Sequence, residues 1–242
     1  MNRFSSIVSS APGEKCSMSG HQAAARGALE AGASMAIGCP GMETIQVVDE
    51  LARLREYHNL TPLHSINEKV ALETAAAYCW TGQRCLVCMS AMGLHSALPS
   101  LIPLASCLGD GGLVLYLTDD PQSPFGPLAW DSSYCARLTH LPMLEPATPQ
   151  QVKDWIVKAF EASERARIPV IVRVTRSLSQ TISPVVLGDQ WKGRKQPSVP
   201  EHKSSLLCSR PSQTLHQRHD VARRCTEASV LLAQCYMLEL NN

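Results

Sequence analysis

The sequence predicts an α/β fold in which helices cover both faces of a doubly wound parallel sheet, giving three layers. Two observations support this prediction. Short, continuously apolar segments are typical of strands buried on both faces, and segments with apolar residues three or four positions apart separate them. With 242 residues, of which 45% are hydrophobic, the chain is long enough for one such domain and an appendage.

The predicted strands and helices alternate along the chain. Apolar runs predict strands at residues 34–38, 63–66, 85–89, 112–118 and 169–174. Helical spacing or Ala-rich composition predicts helices at residues 20–31, 44–57, 68–80, 94–107 and 149–165. Asn67 is a candidate N-cap for the third helix, and Pro99 and Pro103 are expected to interrupt the fourth. The prolines and glycine of residues 121–132 predict a loop.

Composition divides the chain into four regions. We predict a flexible lead-in at residues 1–17, the α/β domain at 18–186, a linker at 187–218 and a terminal amphipathic helix at 219–242. The linker is rich in Gly, Pro, Ser and basic residues and has little periodicity. The terminal helix should pack on the domain or on a partner, because an isolated helix of this length is only marginally stable. Its apolar stripe consists of Val221, Cys225, Ala228, Leu232, Cys235 and Leu238.

The ten cysteines indicate buried thiols rather than a disulfide framework or a metal site. They are scattered, and the one close pair, Cys85 and Cys88, lies in a predicted strand, where residues three apart point to opposite faces. Neither a secretory signal nor a stretch of about 18 apolar residues is apparent, so we expect a cytoplasmic protein that does not enter a membrane. The net charge of +1 disfavours nucleic-acid binding.

Candidate binding residues lie where the predicted strands end, because open parallel sheets bind ligands at the carboxyl ends of their strands. No turn there carries a dinucleotide, P-loop or nucleophile-elbow motif. Residues 109–112 resemble the start of a Mg²⁺–diphosphate motif, but Asn241 and Asn242 lie too far along the chain to complete it. Glu68 follows a strand and begins a helix. Such an acid ordinarily serves the helix dipole, so the residues alone leave its role open.

Eight short motifs occur in one order at residues 25–32 (ARGALEAG), 38–41 (GCPG), 67–73 (NEKVALE), 92–94 (MGL), 111–114 (GGLV), 119–121 (DDP), 131–134 (DSSY) and 144–146 (LEP). In this order they resemble the N-terminal, pyrimidine-binding domain of the large subunit of indolepyruvate ferredoxin oxidoreductase. That family comprises thiamine-diphosphate-dependent 2-oxoacid:ferredoxin oxidoreductases. The resemblance covers roughly residues 18–180 and implies the thiamine-diphosphate-binding fold for this domain.

The resemblance implies that Glu68 is a catalytic residue, whose carboxylate hydrogen-bonds a ring nitrogen of the cofactor's aminopyrimidine. It implies that this chain binds only the pyrimidine end of thiamine diphosphate, while a partner domain or chain holds the diphosphate and Mg²⁺. The sequence contains no iron–sulfur motif of the ferredoxin type, so electrons would pass to a partner, and we expect a homo- or hetero-oligomer. The cofactor-binding residues so implied are Pro40, Gly41, Met42, Asn67, Glu68, Met92, Gly93 and Leu94.

The sequence departs from the family pattern in three candidate loops. Residues 42–46 read METIQ where the family usually has Thr-Pro-Ser-Ser-Glu, Ser90 and Ala91 stand in place of a Lys-His pair, and residues 124–126 replace a polar stretch. The scaffold residues and Glu68 remain while polar side chains are lost, which leaves two alternatives open. One is a subunit of a split non-oxidative 2-oxoacid decarboxylase, and the other is a catalytically degenerate assembly or regulatory subunit.

Overall fold

The computed structural model of the protein describes residues 11–54, 60–120, 131–191 and 211–240. The described strands are β1 (Lys15–Ser19), β2 (Met35–Gly38), β3 (Thr61–His64), β4 (Cys85–Ser90), β5 (Leu113–Asp119), β6 (Met143–Leu144), β7 (Val170–Thr175) and β8 (Ile182–Val186). The described helices are α1 (Gly20–Glu30), α2 (Ile45–Arg53), α3 (Glu68–Cys79), α4 (Ala91–Cys107), α5 (Ser133–Thr139), α6 (Pro149–Ala166), α7 (Arg176–Gln180) and α8 (Pro211–Leu240).

Six strands form one parallel sheet in the order β3-β2-β4-β5-β7-β6. The remaining two, β1 and β8, pair antiparallel as a small second sheet, with Lys15 opposite Val186 and Ser19 opposite Ile182. Helices cover both faces of the parallel sheet, so the predicted α/β fold with three layers is confirmed.

Two hydrophobic cores lie on the two faces of the sheet. Alternate residues of each central strand enter different cores: Leu86 and Cys88 of β4 point to one, and Cys85, Val87 and Met89 point to the other. The first core is closed by α1, α2 and α6, and the second by α3, α4 and α5. Burial on both faces explains why the central strands are continuously apolar.

The prediction for the cysteine pair is confirmed, since Cys85 and Cys88 lie in opposite cores. Burial raises the pKa of both thiols well above the usual range. Cys16 is partly exposed, and the other cysteines whose burial is described are buried free thiols, at positions 39, 79, 85, 88, 135 and 225.

The prediction that two prolines interrupt the fourth helix is wrong. Helix α4 is continuous from Ala91 to Cys107, and it contains both Pro99 and Pro103. These prolines lie four residues apart on the exposed side of the helix, where carbonyl groups that lose a donor can bond to water. The helix also begins three residues earlier than predicted, because Ser90 accepts a hydrogen bond from the backbone N–H of Gly93 and caps it.

Other boundaries shift for local reasons. Strand β3 ends at His64 rather than residue 66, because the hydroxyl of Ser65 bonds to the carbonyl oxygen of Asn67 and turns the chain toward α3. Helix α2 ends at Arg53, and residues 55–57 of the predicted helix lie outside the described residues. The pattern gave no signal for β1, β6, β8, α5 and α7, which are short.

The two ends of the chain also differ from the predicted regions. Strand β1 starts at Lys15, within the predicted lead-in, and α8 starts at Pro211, within the predicted linker. Along α8, Val221, Cys225 and Ala228 pack into the second core and Leu232 into the first. These four residues of the apolar stripe therefore pack on the domain, whereas the side chains at 235 and 238 are outside the described part. No helix in the described ranges is long and apolar enough to span a membrane.

A buried ionic cluster joins α1, α6 and the segment after β8. The Glu30 carboxylate accepts from Arg26 Nε at 2.7 Å and from Lys153 Nζ at 2.9 Å. The same carboxylate accepts from the backbone N–H of Gly188 at 2.7 Å, and Arg26 donates to the Gly188 carbonyl oxygen at 2.9 Å. The side chains of Arg26, Glu30 and Lys153 are at most 4% exposed, and Lys153 also pairs with the more exposed Asp154, so Glu30 is the buried counter-charge that the two cations share.

We predict that Glu30→Gln lowers the free energy of unfolding by about 3 kcal/mol, because Arg26 and Lys153 lose their shared buried counter-charge and Lys153 keeps only the more exposed Asp154. Urea denaturation followed by circular dichroism measures this change. The control is Glu50→Gln, which breaks the pair between Glu50 and Arg53 near the surface and should cost no more than about 1 kcal/mol. Equal losses in the two variants would contradict the role of the buried cluster.

Candidate functional site

The parallel sheet reverses its winding direction between β2 and β4. Helix α2, which follows β2, packs against the first core, whereas α4, which follows β4, packs against the second. Because the two helices leave adjacent strands on opposite faces, the loops before them diverge and open a crevice at the carboxyl ends of the strands. The predicted residues Pro40, Gly41 and Met42 follow β2, and Met92 and Gly93 lie in the first turn of α4. The fold therefore brings these two groups of predicted site residues to one crevice.

Helix α3 delivers Glu68 to the same crevice from β3, which lies beside β2. Asn67 has an extended backbone, and its side-chain oxygen accepts a hydrogen bond from the backbone N–H of Val70 at 2.8 Å. The predicted N-cap is thus confirmed, and it fixes the start of the helix. Glu68 consequently occupies the first turn of α3, where the helix dipole favours a negative charge.

The Glu68 side chain lies directly over Gly93. A Cβ atom built on Gly93 would lie 2.5 Å from Glu68 Cγ and 2.8 Å from Glu68 Oε1, closer than real contacts allow. Glycine at position 93 therefore lets the carboxylate of α3 rest on the first turn of α4. This contact explains sterically why the motif at residues 92–94 has a glycine in its middle position.

The Glu68 carboxylate also faces Cys39, the residue that follows β2. Burial, together with the negative charge of Glu68, raises the pKa of the Cys39 thiol to about 11. The thiol is therefore protonated at neutral pH. In the part of the chain that the structure describes, no group hydrogen-bonds or ion-pairs with the Glu68 carboxylate, although its side chain is half-buried. The carboxylate oxygens of Glu68 are not fully buried, so they are open to a hydrogen-bond donor in the crevice.

The other predicted residues differ in their accessibility. Pro40 and Gly41 are exposed at the mouth of the crevice, and Met92 is 41% exposed. Leu94 is fully buried in the second core, so any effect it has on a ligand would act through packing. The candidate assignments remain predictions, because their geometry shows where the residues lie and not what they bind.

Sequence reasoning missed two exposed apolar residues beside Glu68. Ile66 is 89% exposed and Val70 is 38% exposed, on either side of the helix start. Single exposed apolar side chains are common on protein surfaces, so these two residues matter for the site only because they flank Glu68. The sequence signal for this surface was the apolar residue Ile66. The sequence pattern places it in a buried strand, whereas it lies in the turn after β3.

A second concave surface lies away from the crevice. A groove of about 1150 Å³ runs between α5 and α8, and Leu138 and Ile102 are exposed apolar residues in its wall. We place the candidate site at the crevice because the unpaired Glu68 carboxylate lies there. Among the described residues, no group of three or more His, Cys, Asp or Glu side chains could hold a metal ion.

Several known proteins resemble this chain, although no family model matches it. The indolepyruvate oxidoreductase subunit IorA of Pyrococcus horikoshii is 35% identical over 178 residues, which make up 74% of this chain and 28% of that protein. Subunit IorA of Methanothermobacter marburgensis is 34% identical over 184 residues, 76% of this chain and 30% of that protein. The 2-oxoglutarate synthase subunit KorA of Methanothermobacter thermautotrophicus is 25% identical over 199 residues, 77% and 52% of the two chains.

Two solved structures share the fold. A 2-oxoglutarate:ferredoxin oxidoreductase from Magnetococcus marinus superposes with a TM-score of 0.72 at 12% identity, covering 88% of this chain and 44% of that chain. A thiamine diphosphate-dependent 4-hydroxybenzoylformate decarboxylase from Rhodococcus jostii RHA1 superposes with a TM-score of 0.54 at 19% identity, covering 68% and 31%. At these identities the likeness establishes the fold alone.

The fold and the sequence similarity together point to one class: the matched part of the chain is similar in sequence to subunits of 2-oxoacid oxidoreductases and shares its fold with one of these enzymes. Within that class the matched residues are similar to those of the indolepyruvate oxidoreductase subunit IorA, in agreement with the resemblance seen in the motifs. The chain spans less than a third of the length of the IorA subunits that it matches.

We predict that Asn67→Ala lowers the free energy of unfolding by about 0.5–2 kcal/mol, because α3 loses its N-cap at the crevice. Asn67→Asp keeps an acceptor at this position and should retain most of the stability. Chemical denaturation of the two variants measures the difference. If the alanine and aspartate variants are equally stable, the cap is not what fixes the start of α3.

Proposed function

We propose that this chain provides the pyrimidine-binding half of a thiamine-diphosphate-dependent 2-oxoacid oxidoreductase of the indolepyruvate type, and that it acts together with a partner chain or domain. The observation that carries this proposal is the half-buried, unpaired Glu68 carboxylate at the first turn of α3, in a crevice at the winding reversal of the sheet. The similarity to subunit IorA supports the same assignment.

The residues at the crevice fit the aminopyrimidine ring of thiamine diphosphate. Glu68 offers a carboxylate to a ring nitrogen, and the helix dipole of α3 supports its charge. Ile66 and Met92 are exposed apolar side chains beside it, suited to contact a flat heterocycle. Gly93 removes the side chain that would otherwise occupy the space of the carboxylate. When bound, the cofactor supplies the nucleophilic carbon that attacks the 2-oxo group of the substrate.

The chain's own contribution is to hold a proton acceptor in a fixed position. The cap at Asn67 fixes the start of α3, and contact with Gly93 limits where the Glu68 carboxylate can turn. A charge-assisted hydrogen bond from a ring nitrogen to this carboxylate is stronger in a site from which water is excluded. Positioning of this kind typically contributes on the order of 10²–10⁴-fold to proton-transfer steps.

The proposal assigns the diphosphate, Mg²⁺ and the electron acceptor to a partner. Asp110, the acid of the turn at residues 109–112, forms an ion pair with Arg167 at 2.7 Å, which favours a role in joining this turn to the end of α6. At the end of β5, Asp119 accepts from Arg173 Nε at 2.8 Å. The pairing of Asp110 and Asp119 favours a site in which this chain supplies the pyrimidine contacts and a partner supplies the diphosphate contacts.

A calorimetric titration with thiamine diphosphate and Mg²⁺ tests the proposal, using the chain alone and together with a candidate partner that carries the Gly-Asp-Gly and Asn-Asn diphosphate motif. We expect binding in the mixture and weak or no binding by the chain alone. If the two chains associate but the mixture binds no cofactor, the proposal is wrong and an assembly role is favoured. Carbon dioxide release without an added electron acceptor would instead favour a decarboxylase.

We predict that Glu68→Gln reduces the activity of the assembled complex by on the order of 10²–10⁴-fold, because the amide cannot take the proton or supply the charge. The matched control is Glu73→Gln on the same helix, where the side chain is 52% exposed. This control should retain nearly full activity. Steady-state turnover of 2-oxoacids measures both variants, and full activity in Glu68→Gln would exclude the catalytic role of Glu68.

We predict that Gly93→Ala weakens cofactor binding without weakening the fold. The new methyl group displaces the Glu68 carboxylate, while alanine is a better helix former than glycine by up to about 1 kcal/mol. Thermal unfolding and the cofactor titration together check this prediction, with Ser96→Ala on the same helix as the control. A Gly93→Ala variant that binds the cofactor as tightly as the unmodified chain would show that the Glu68–Gly93 contact has no part in binding.

A further inference from the structure

A cluster of polar contacts fixes the loop that contains Pro40, Gly41 and Met42, which we term the β2 loop. Glu43 follows it directly, and its side chain is 18% exposed. Glu43 Oε1 accepts from Ser179 Oγ at 2.6 Å, and Glu43 Oε2 accepts from Arg176 Nε at 3.0 Å. Both partners belong to α7, which follows β7. One carboxylate therefore joins the loop after β2 to a helix at the end of another strand.

His21 of α1 reaches the same carboxylate from inside the molecule. Its ring is 2% exposed, and Nε2 lies 3.4 Å from Glu43 Oε1 in a contact that lacks the alignment of a hydrogen bond. Nδ1 lies 3.2 Å from the hydroxyl oxygen of Tyr116, in the middle of β5. Tyr116, His21 and Glu43 thus form a polar chain that runs from the centre of the sheet to the β2 loop.

The protonation states of Tyr116 and His21 determine which group donates at each contact of this polar chain. Burial raises the pKa of Tyr116 well above its usual value, with Cys88 and Glu43 adding to the effect, so the phenol keeps its proton. Burial also lowers the pKa of His21, and Glu43 only partly opposes this, so the ring is neutral at pH 7. Because Nε2 faces a carboxylate, which can only accept, the neutral ring carries its proton on Nε2, and Nδ1 then accepts from the Tyr116 hydroxyl.

Close packing keeps the members of the cluster together. A Cβ atom on Gly20 would lie 2.5 Å from the carbonyl oxygen of Leu178, so the start of α1 rests directly against α7. This contact sets His21 of α1 and Ser179 of α7 on the same carboxylate. Because Tyr116 is fully buried and His21 nearly so, neither can touch a substrate, and any influence they have must pass through Glu43.

We propose that Tyr116, His21 and Glu43 act as positioning residues that hold the β2 loop in the conformation that receives the cofactor. The inference rests on the proposed function, since the β2 loop is one wall of the crevice there. The loop's own backbone gives a direct measure of its anchoring. The amides of Ile45 and Gln46 donate to the carbonyl oxygens of Met42 and Glu43, so their hydrogen exchange reports opening of this segment.

Hydrogen exchange of the free chain tests the anchoring without any cofactor. We expect Glu43→Ala to speed exchange at Ile45 and Gln46 by about five- to tenfold, as for the loss of about one net hydrogen bond. Glu43→Gln keeps an acceptor for Ser179 and should recover part of this protection. Tyr116→Phe, which changes only a buried hydroxyl, should produce a smaller increase at the same two amides.

Two matched controls separate positioning from general stability. Asp220 pairs with Arg223 at 2.7 Å near the surface of α8, so Asp220→Ala removes the same kind of contact away from the polar chain and from α2. Tyr134 is 67% exposed, so Tyr134→Phe is the control for the tyrosine. Neither should change exchange at Ile45 and Gln46. In the assembled complex, Glu43→Ala and Tyr116→Phe should raise the dissociation constant for thiamine diphosphate while the controls leave it unchanged.

Three outcomes would overturn the inference. The first is unchanged exchange at the two amides in Glu43→Ala. The second is faster exchange there that only matches faster exchange throughout the domain. The third is an unchanged dissociation constant for thiamine diphosphate in a complex in which exchange shows that the β2 loop has loosened. A complex in which the unmodified chain binds no cofactor is a failure of the proposed function. In that event the exchange pattern still decides whether the polar chain anchors the β2 loop.

Discussion

The divergence of α2 and α4 from neighbouring strands determines where the candidate site of this molecule lies. Strands β2 and β4 are adjacent and parallel, yet the helices that follow them pack against opposite cores. The connections after β2 and after β4 therefore run to opposite faces of the sheet. Neither connection covers the ends of both strands, and this topology opens a crevice between them. The crevice is lined by Glu68, Gly93 and the β2 loop, which is why they are the candidate site residues. The carboxylate of Glu68 reaches the crevice only because α3 crosses from β3 and meets α4 where it has no side chain.

Much of this arrangement could be predicted from the sequence, because the signals are local. Continuous apolar strands predict burial on both faces, and Asn67 before Glu68 predicts a capped helix start. The predictions failed where tertiary context decides the outcome. Pro99 and Pro103 remain within α4 because they lie on its exposed side, and the short strands β1 and β8 form only because they pair with each other across the whole domain. The anchoring of Glu43 by α7 likewise depends on residues more than a hundred positions away, which no local pattern reveals.

The structure gives a physical account of two departures from the family pattern. Ser90, the first of the two residues that stand in place of the Lys-His pair, caps α4 by accepting from the backbone N–H of Gly93. Glu43, in the altered stretch after the β2 strand, pairs with Arg176 and Ser179 instead of facing the crevice. Polar groups in these loops have therefore not simply been lost, since some now stabilise the loops themselves. The third altered stretch, residues 124–126, lies outside the described residues.

Glu68 differs from the more deeply buried carboxylates of the described residues, each of which has a partner for at least one oxygen. Glu30 is buried against Arg26 and Lys153, Asp119 against Arg173 and Ser132, and Glu43 against α7, as expected because a desolvated charge is costly without partners. Glu68 is half-buried beside a neutral thiol, and no described group donates to it. A cap, a helix dipole and a glycine support its position, yet none of them satisfies its oxygens. A carboxylate that the fold positions but leaves without a donor is suited to a donor that arrives with a ligand, and a protonated heterocycle is such a donor.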